Sequence, residues 1–230
     1  MADIETPVLI VGGGGCGLAT SLFLSHADVP SVLVERHPAP SPMPKGRYLN
    51  QRTMEIFRQH GIADAIYERS APLRNMSKTR WCTSLGGDGP YDRKVLFELE
   101  TFGGGSLAQS YGANSPCQST IYPQVRLEPL MHRFAGARSH ASLLFNHTLV
   151  GLEQDDSGVQ AIIEDRGTGE RRTVRSRYLV GADGGKTVGG IVGARLEGTP
   201  ELVDMVTMYF RADLSKYLDD DECFAYWLAN

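Results

Sequence analysis

Pro7-Val8-Leu9-Ile10-Val11-Gly12-Gly13-Gly14-Gly15-Cys16-Gly17 is the stretch on which the fold turns. The apolar run Val8–Val11 suits a strand buried on both faces, and it ends in glycine. From Gly17 to Ala27 the apolar residues Leu18, Leu22 and Phe23 recur at helical spacing. Ser31-Val32-Leu33-Val34-Glu35 reads as a second buried strand. Strand, glycine-rich turn, helix and strand within about thirty residues make a βαβ unit.

The turn satisfies G-x-G-x-x-G at Gly12, Gly14 and Gly17, with Gly15 inside it. Its glycines serve a tight turn, backbone approach to a pyrophosphate, and close helix–strand packing. The helix N-terminus beyond offers free N–H groups and a positive dipole to phosphate. Glu35, eighteen residues after Gly17, can accept both ribose hydroxyls of an adenosine. Its charge would repel a 2′-phosphate, an effect softened by Arg36 beside it. The alternative is a glycine-rich turn followed by an incidental surface glutamate. The ordered context of strand, turn, helix and acid argues against that.

Composition sets the outer limits. The 230-residue chain is 41% hydrophobic and 22% charged, with a net charge of −4, so a globular fold of one large or two small domains is expected. The charge is uneven, because residues 201–230 hold seven acidic and two basic side chains. No basic tract is present, which argues against a nucleic-acid partner. The run Asp219-Asp220-Asp221-Glu222 reads as a solvated turn. The cysteines Cys16, Cys82, Cys117 and Cys223 form no C-x-x-C pair, and the histidines show no ligand spacing, so no metal site is expected. No signal peptide and no membrane-length apolar stretch is visible, so a soluble cytoplasmic protein is expected.

Further along, the proline-rich segment 38–44 must be an extended loop. Residues 50–60 read as a helix with Met54, Ile56 and Phe57 inward and Gly61 just past its end. Residues 80–85 and 94–99 read as strands, 101–117 as loop, and 125–134 as helix. Residues 142–155 read as one strand, in a hairpin with 159–165 through Asp156-Ser157-Gly158. A strand over 172–180 follows. Two more are expected over 205–212, carrying Tyr209 and Arg211, and over 223–228. Nothing visible pairs with the last of these, which would leave an exposed sheet edge.

A second motif is Tyr178-Leu179-Val180-Gly181-Ala182-Asp183-Gly184-Gly185-Lys186-Thr187. Gly185-Lys186-Thr187 imitates the end of a nucleoside-triphosphate P-loop. That motif requires glycine five positions before Gly185, where Val180 stands. The dinucleotide turn paired with a downstream Gly-Ala-Asp-Gly resembles instead the class A flavoprotein aromatic hydroxylases, the p-hydroxybenzoate hydroxylase-like monooxygenases. Within these the chain is most similar to phenol and polyketide hydroxylases. The segments Val8–Gly17 with Glu35-Arg36, Lys45–Glu55, Tyr122–Glu128 and Gly181–Thr187 carry the resemblance in order.

That resemblance implies FAD as cofactor, NAD(P)H as co-substrate and a small aromatic substrate. Gly12, Gly14, Gly15 and Gly17 would hold the pyrophosphate, and Glu35 with Arg36 the adenosine end. Lys45, or in its place Arg47, would set a cation near the pyrophosphate. Gln124 matches the glutamine that reaches the flavin, and Arg126 the basic residue two positions on. Asp183 matches the aspartate that touches FAD. The fold implied is α/β: a Rossmann-like FAD-binding domain of the glutathione reductase type, over residues 1–187. Strands 80–100 would be inserted towards a β-sheet substrate domain beginning at 188–230 and incomplete here.

The sequence departs from the family pattern in two places. Gly189-Gly190 stand where a Val-Arg pair is usual, and no later Gly-Asp motif follows Asp183. The expectation is therefore a truncated hydroxylase. A non-catalytic or partner-dependent flavin-binding remnant and another class of FAD oxidoreductase are the alternatives. Strand faces near Met205–Phe210 and Cys223–Leu228 should be left uncovered and promote self-association.

Overall fold

A computed structural model describes residues 2–195, 197–199, 202–218 and 223–229. The acidic run 219–222 lies outside the described residues. In chain order the elements are β1 (Ile4–Val11), α1 (Gly15–His26), β2 (Ser31–Glu35), β3 (Tyr48–Leu49), α2 (Gln51–Gln59) and α3 (Ala63–Tyr67). They continue with β4 (Lys78–Cys82), β5 (Val95–Glu100), α4 (Ala108–Asn114), β6 (Thr120–Ile121) and α5 (Gln124–Gly136). The last are β7 (Ala141–Phe145), β8 (His147–Asp155), β9 (Gly158–Asp165), β10 (Arg171–Gly181), α6 (Val188–Ile191) and β11 (Ala225–Leu228).

The chain forms two compact units. One joins Met1–Lys45 to Gln124–Met205, and the other joins Gly46–Pro123 to Val206–Asn230. These limits differ from a division at residue 187. The reason lies in the strand ladder: β1 pairs in parallel with both β2 and β10, so residues 171–181 complete a sheet that residues 4–11 begin.

In the first unit six strands run β7-β2-β1-β10-β9-β8. The first four are parallel neighbours, and β9 and β8 extend the sheet as an antiparallel meander. Successive residues of β1 point to opposite faces. Leu9 and Val11 join Val32, Val34, Leu149, Ala161, Ile163, Val174 and Val188 in one apolar cluster. Val8 and Ile10 are also buried, and α1, with Leu18 and Leu22 fully buried, packs against β1 and β2. Both faces of β1 are therefore covered, as its unbroken apolar run requires. The 142–155 segment is two strands rather than one, because Asn146 adopts a left-handed conformation (φ 61°) between β7 and β8. Asparagine is one of the few residues that visit this region routinely.

In the second unit, α2 starts at Asn50, whose side chain accepts from Thr53 N–H at 2.8 Å as an N-cap. It buries Met54 and Phe57. Strands β11, β4 and β5 make a three-stranded sheet. The terminal strand is thus paired on one side, in parallel with β4 from Ala225↔Thr79 to Leu228↔Cys82. The segment read as loop over 101–117 contains α4, which buries no residue. A helix with no buried stripe leaves no periodic signal. Residues 205–212, read as a strand with Tyr209 and Arg211, have no regular structure. They are exposed and have no ladder partner among the described residues. An extended segment with nothing to pair its backbone groups is not a strand.

Candidate functional site: a dinucleotide cleft

The site is built where β1 ends. Gly12 N–H donates to Val34 O at 2.8 Å, and Ala182 N–H donates to Val11 O at 2.7 Å. The turn is therefore clamped between β2 and the end of β10. Three glycines here are dictated by the protein itself. Gly12 has φ 112°, and a Cβ on it would lie 2.4 Å from Ala182 O. A Cβ on Gly17 would lie 1.8 Å from Gly12 O, and one on Gly13 would lie 2.6 Å from Glu35 Cβ. Gly14 and Gly15 differ. A Cβ there meets nothing closer than Glu128 Oε1, at 3.6 and 4.0 Å. Protein packing does not demand glycine at these two positions.

The open space at Gly14 belongs to a cleft of about 760 Å³ within the first unit, whose lining does not include Gly15. Gly12–Gly14, Glu35, Arg36, Lys45, Glu128 and Asp183 are among its lining residues, as is the proline-rich segment 38–43. The size is ordinary for a cofactor site. Lys45 and Lys186 bring positive charge to the same cleft.

Glu35 is held from two sides. Its Oε2 accepts from Gly13 N–H at 2.6 Å and its Oε1 from His37 N–H at 2.8 Å. The carboxylate is thus oriented at the mouth of β2 and keeps acceptor capacity, since each oxygen has two lone pairs. Arg36 lines the cleft. Its Nε donates to His37 Nε2 at 3.3 Å, and its carbonyl accepts from Arg166 at 2.7 Å. Asp183 also lines the cleft, but its carboxylate is turned on its own loop. It accepts from the N–H groups of Gly185 (3.1 Å), Thr187 (2.5 Å) and Val188 (3.0 Å). Burial pushes this carboxyl up, yet the Thr187, Val188 and Gly185 donors outweigh it and hold it below the usual carboxylate range.

Gln124 and Arg126 are not in the cleft lining. Gln124 opens α5 and reaches the cleft indirectly, donating from Nε2 to Glu128 Oε1 at 2.6 Å. Arg126 is exposed on the same helix. Of the two candidate cations, Lys45 lines the cleft. Arg47 lies in the second unit, 4.2 Å above the Phe224 ring, with its Nη2 donating to Phe224 O at 2.6 Å.

Two site residues were not singled out from sequence. Gly13 occupies a variable position of the G-x-G-x-x-G pattern, which hides its packing against Glu35. Glu128 is a carboxylate inside an otherwise apolar helix face, with Leu127, Leu130 and Met131 buried around it. A charged residue in such company, one turn after Gln124, is the signal that could have found it.

These observations fit FAD: the N-terminus of a twelve-residue helix beside the cleft, space at Gly14, an oriented carboxylate for ribose, and a cation for phosphate. A family model described as an FAD binding domain matches residues 5–230. The chain belongs to that FAD-binding family. It is 34% identical over 227 residues to 2,4-dichlorophenol 6-monooxygenase of Delftia acidovorans, covering 98% of this chain and 38% of that protein. It is 36% identical over 228 residues to a putative polyketide hydroxylase of Streptomyces halstedii, covering 98% of this chain and 40% of the relative. The chain thus spans about two fifths of the length of these relatives. Among solved structures, the flavin-dependent monooxygenase PieE in complex with FAD and substrate superposes with TM-score 0.80. It is 39% identical, over 86% of this chain and 34% of PieE. No helix among the described residues is long and apolar enough to cross a membrane.

Proposed function

We propose that this chain supplies the FAD-holding part of a monooxygenase that hydroxylates a phenolic or polyketide aromatic ring, with NAD(P)H and dioxygen as co-substrates. The observation that carries the proposal is the glycine turn. A side chain at Gly14 would meet no close protein atom, and Gly14 lines a cleft that also presents Glu35 and Lys45. The phenol and polyketide hydroxylases among the relatives supply the substrate class.

In this reading the α1 N-terminus and the backbone at Gly14 bind the pyrophosphate, assisted by Lys45. Glu35, already oriented by Gly13 and His37, accepts from the ribose hydroxyls. Asp183 holds the loop after β10 in the shape that clamps Gly12. Bound FAD supplies the redox and oxygen chemistry, and the protein's part is to bind, orient and exclude water.

The test is direct. The purified 230-residue chain should show the visible absorbance of oxidised flavin, or acquire it on adding FAD, and phenols should then stimulate NAD(P)H oxidation. A chain that takes up no FAD contradicts the proposal. A chain that binds FAD without any phenol-stimulated turnover fits a second reading, a flavin-holding module without its own hydroxylation. The Gly189-Gly190 pair in α6, where family members carry Val-Arg, favours that reading for the nicotinamide half-reaction.

A further inference from the structure

Glu128 is 2% exposed, a carboxylate buried on the inner side of α5. A buried carboxylate is costly unless hydrogen bonds compensate for its lost water. Here one oxygen does that work for two distant parts of the chain. Glu128 Oε1 accepts from Gly15 N–H at 3.1 Å and from Gln124 Nε2 at 2.6 Å. Gly15 opens α1, so the carboxylate also sits at the positive end of a twelve-residue helix. Gly15 and Glu128 are 113 residues apart in sequence.

We propose that Glu128 is a positioning residue, which sets the dinucleotide turn and the Gln124 amide against each other before the cofactor arrives. This rests on the FAD-binding reading above. The turn holds Gly12 and Gly13 through β2 and Glu35, but Gly15 is tied to the rest of the unit through Glu128. The amide of Gln124 takes its direction from the same atom. A shared acceptor couples the two: loss of the carboxylate leaves a buried N–H without its partner and lets the Gln124 side chain turn. Preorganisation of both before binding lowers the ordering cost that FAD would otherwise bear.

The experiment compares the parent chain with Glu128→Ala, Glu128→Asp and Glu128→Gln by two readouts. The first is hydrogen exchange of residues 12–18 and 122–130 in the ligand-free protein. The second is FAD affinity, from flavin fluorescence. Glu128→Ala should speed exchange at both segments and weaken FAD binding by at least about tenfold, the scale of a lost hydrogen bond to a charged group. Glu128→Gln keeps an acceptor at the same reach and should stay within about threefold of the parent in both. Glu128→Asp keeps the charge but withdraws the oxygen by one methylene, so it should resemble the alanine variant, and it carries the test if the alanine variant does not fold. Parent-like exchange in the Ala or Asp variant overturns the assignment, as does a Gln variant as impaired as Ala. If the parent takes up no FAD, the functional reading fails on its own, while the exchange arm still decides the role of Glu128.

Discussion

Gly13 N–H donates to Glu35 Oε2 at 2.6 Å, and a Cβ on Gly13 would lie 2.6 Å from the Cβ of that same glutamate. The glycine turn and the acid at the end of β2 therefore touch each other. Gly13→Ala must push Glu35 aside, with Phe145 Cζ only 3.0 Å from the added carbon on the other side. We expect a loss of about 1–3 kcal/mol in stability, typical of overpacking, together with weaker FAD binding. Thermal unfolding and flavin titration of the variant check both.

Glu35→Ala removes the acceptor for two backbone N–H groups as well as the carboxylate proposed to meet the ribose. Glu35→Gln keeps one acceptor oxygen. The alanine variant should lose about tenfold or more in FAD affinity and the glutamine variant less, by the ordinary cost of a charge-assisted hydrogen bond. Equal affinities for all three proteins, measured by fluorescence titration, would remove Glu35 from the site.

Lys45 and Arg47 should separate cleanly. Lys45→Ala is expected to weaken FAD binding, with a dependence on salt that the parent shows more strongly. Arg47→Ala should leave binding alone and cost the second unit about 0.5–1 kcal/mol through its lost contact with Phe224. The readouts are FAD titration at two ionic strengths and thermal melting.

Asp183 makes stability depend on acid. Its folded carboxyl titrates below the usual range, so its contribution is fully present above the unfolded value of about 3.9. That contribution is lost as the pH falls from there through the lower folded value. Asp183→Asn should flatten the acid limb of a melting-temperature profile and lower stability at neutral pH. An unchanged acid limb would show that the three N–H groups do not govern this carboxyl.

The β5 strand exposes Val95, Leu96, Phe97 and Leu99, and Trp227 of β11 stacks on Trp81 in the same small sheet while remaining exposed. We expect concentration-dependent self-association of the chain. Replacing Phe97 and Trp227 by lysine should reduce it in sedimentation velocity. A parent that stays monomeric at high concentration refutes the expectation.

Much of the first unit was legible because its signals are local. Val8–Val11, the glycine turn and Ser31–Glu35 each announce their element within a few residues. Element limits moved where a single residue overrode the pattern, as the left-handed Asn146 did between β7 and β8. The helix at Ala108–Asn114 and the segment 205–212 depart from the sequence pattern for opposite reasons: one has no buried stripe, the other has apolar residues with no ladder partner among the described residues. In the site, Gly12, Gly14, Glu35, Lys45 and Asp183 are brought to one cleft. Glu128 escaped because burial of a charge is a property of the assembled helices. The division at Lys45 and Gln124 escaped because it depends on which strands meet.

The ladder from Ile4↔Val174 to Val11↔Gly181 also dictates an order of events during synthesis. The first βαβ segment can collapse soon after it leaves the ribosome, yet one edge of β1 must wait for about 170 further residues. Until then its backbone groups are open to wrong partners, the situation in which slow, non-local pairing favours aggregation. The Ala182 carbonyl that closes on Gly12 arrives only with that late strand. The nascent chain therefore carries a complete nucleotide-binding motif well before it has a nucleotide-binding site, and flavin supplied during expression should raise soluble yield only by capturing chains already past residue 182.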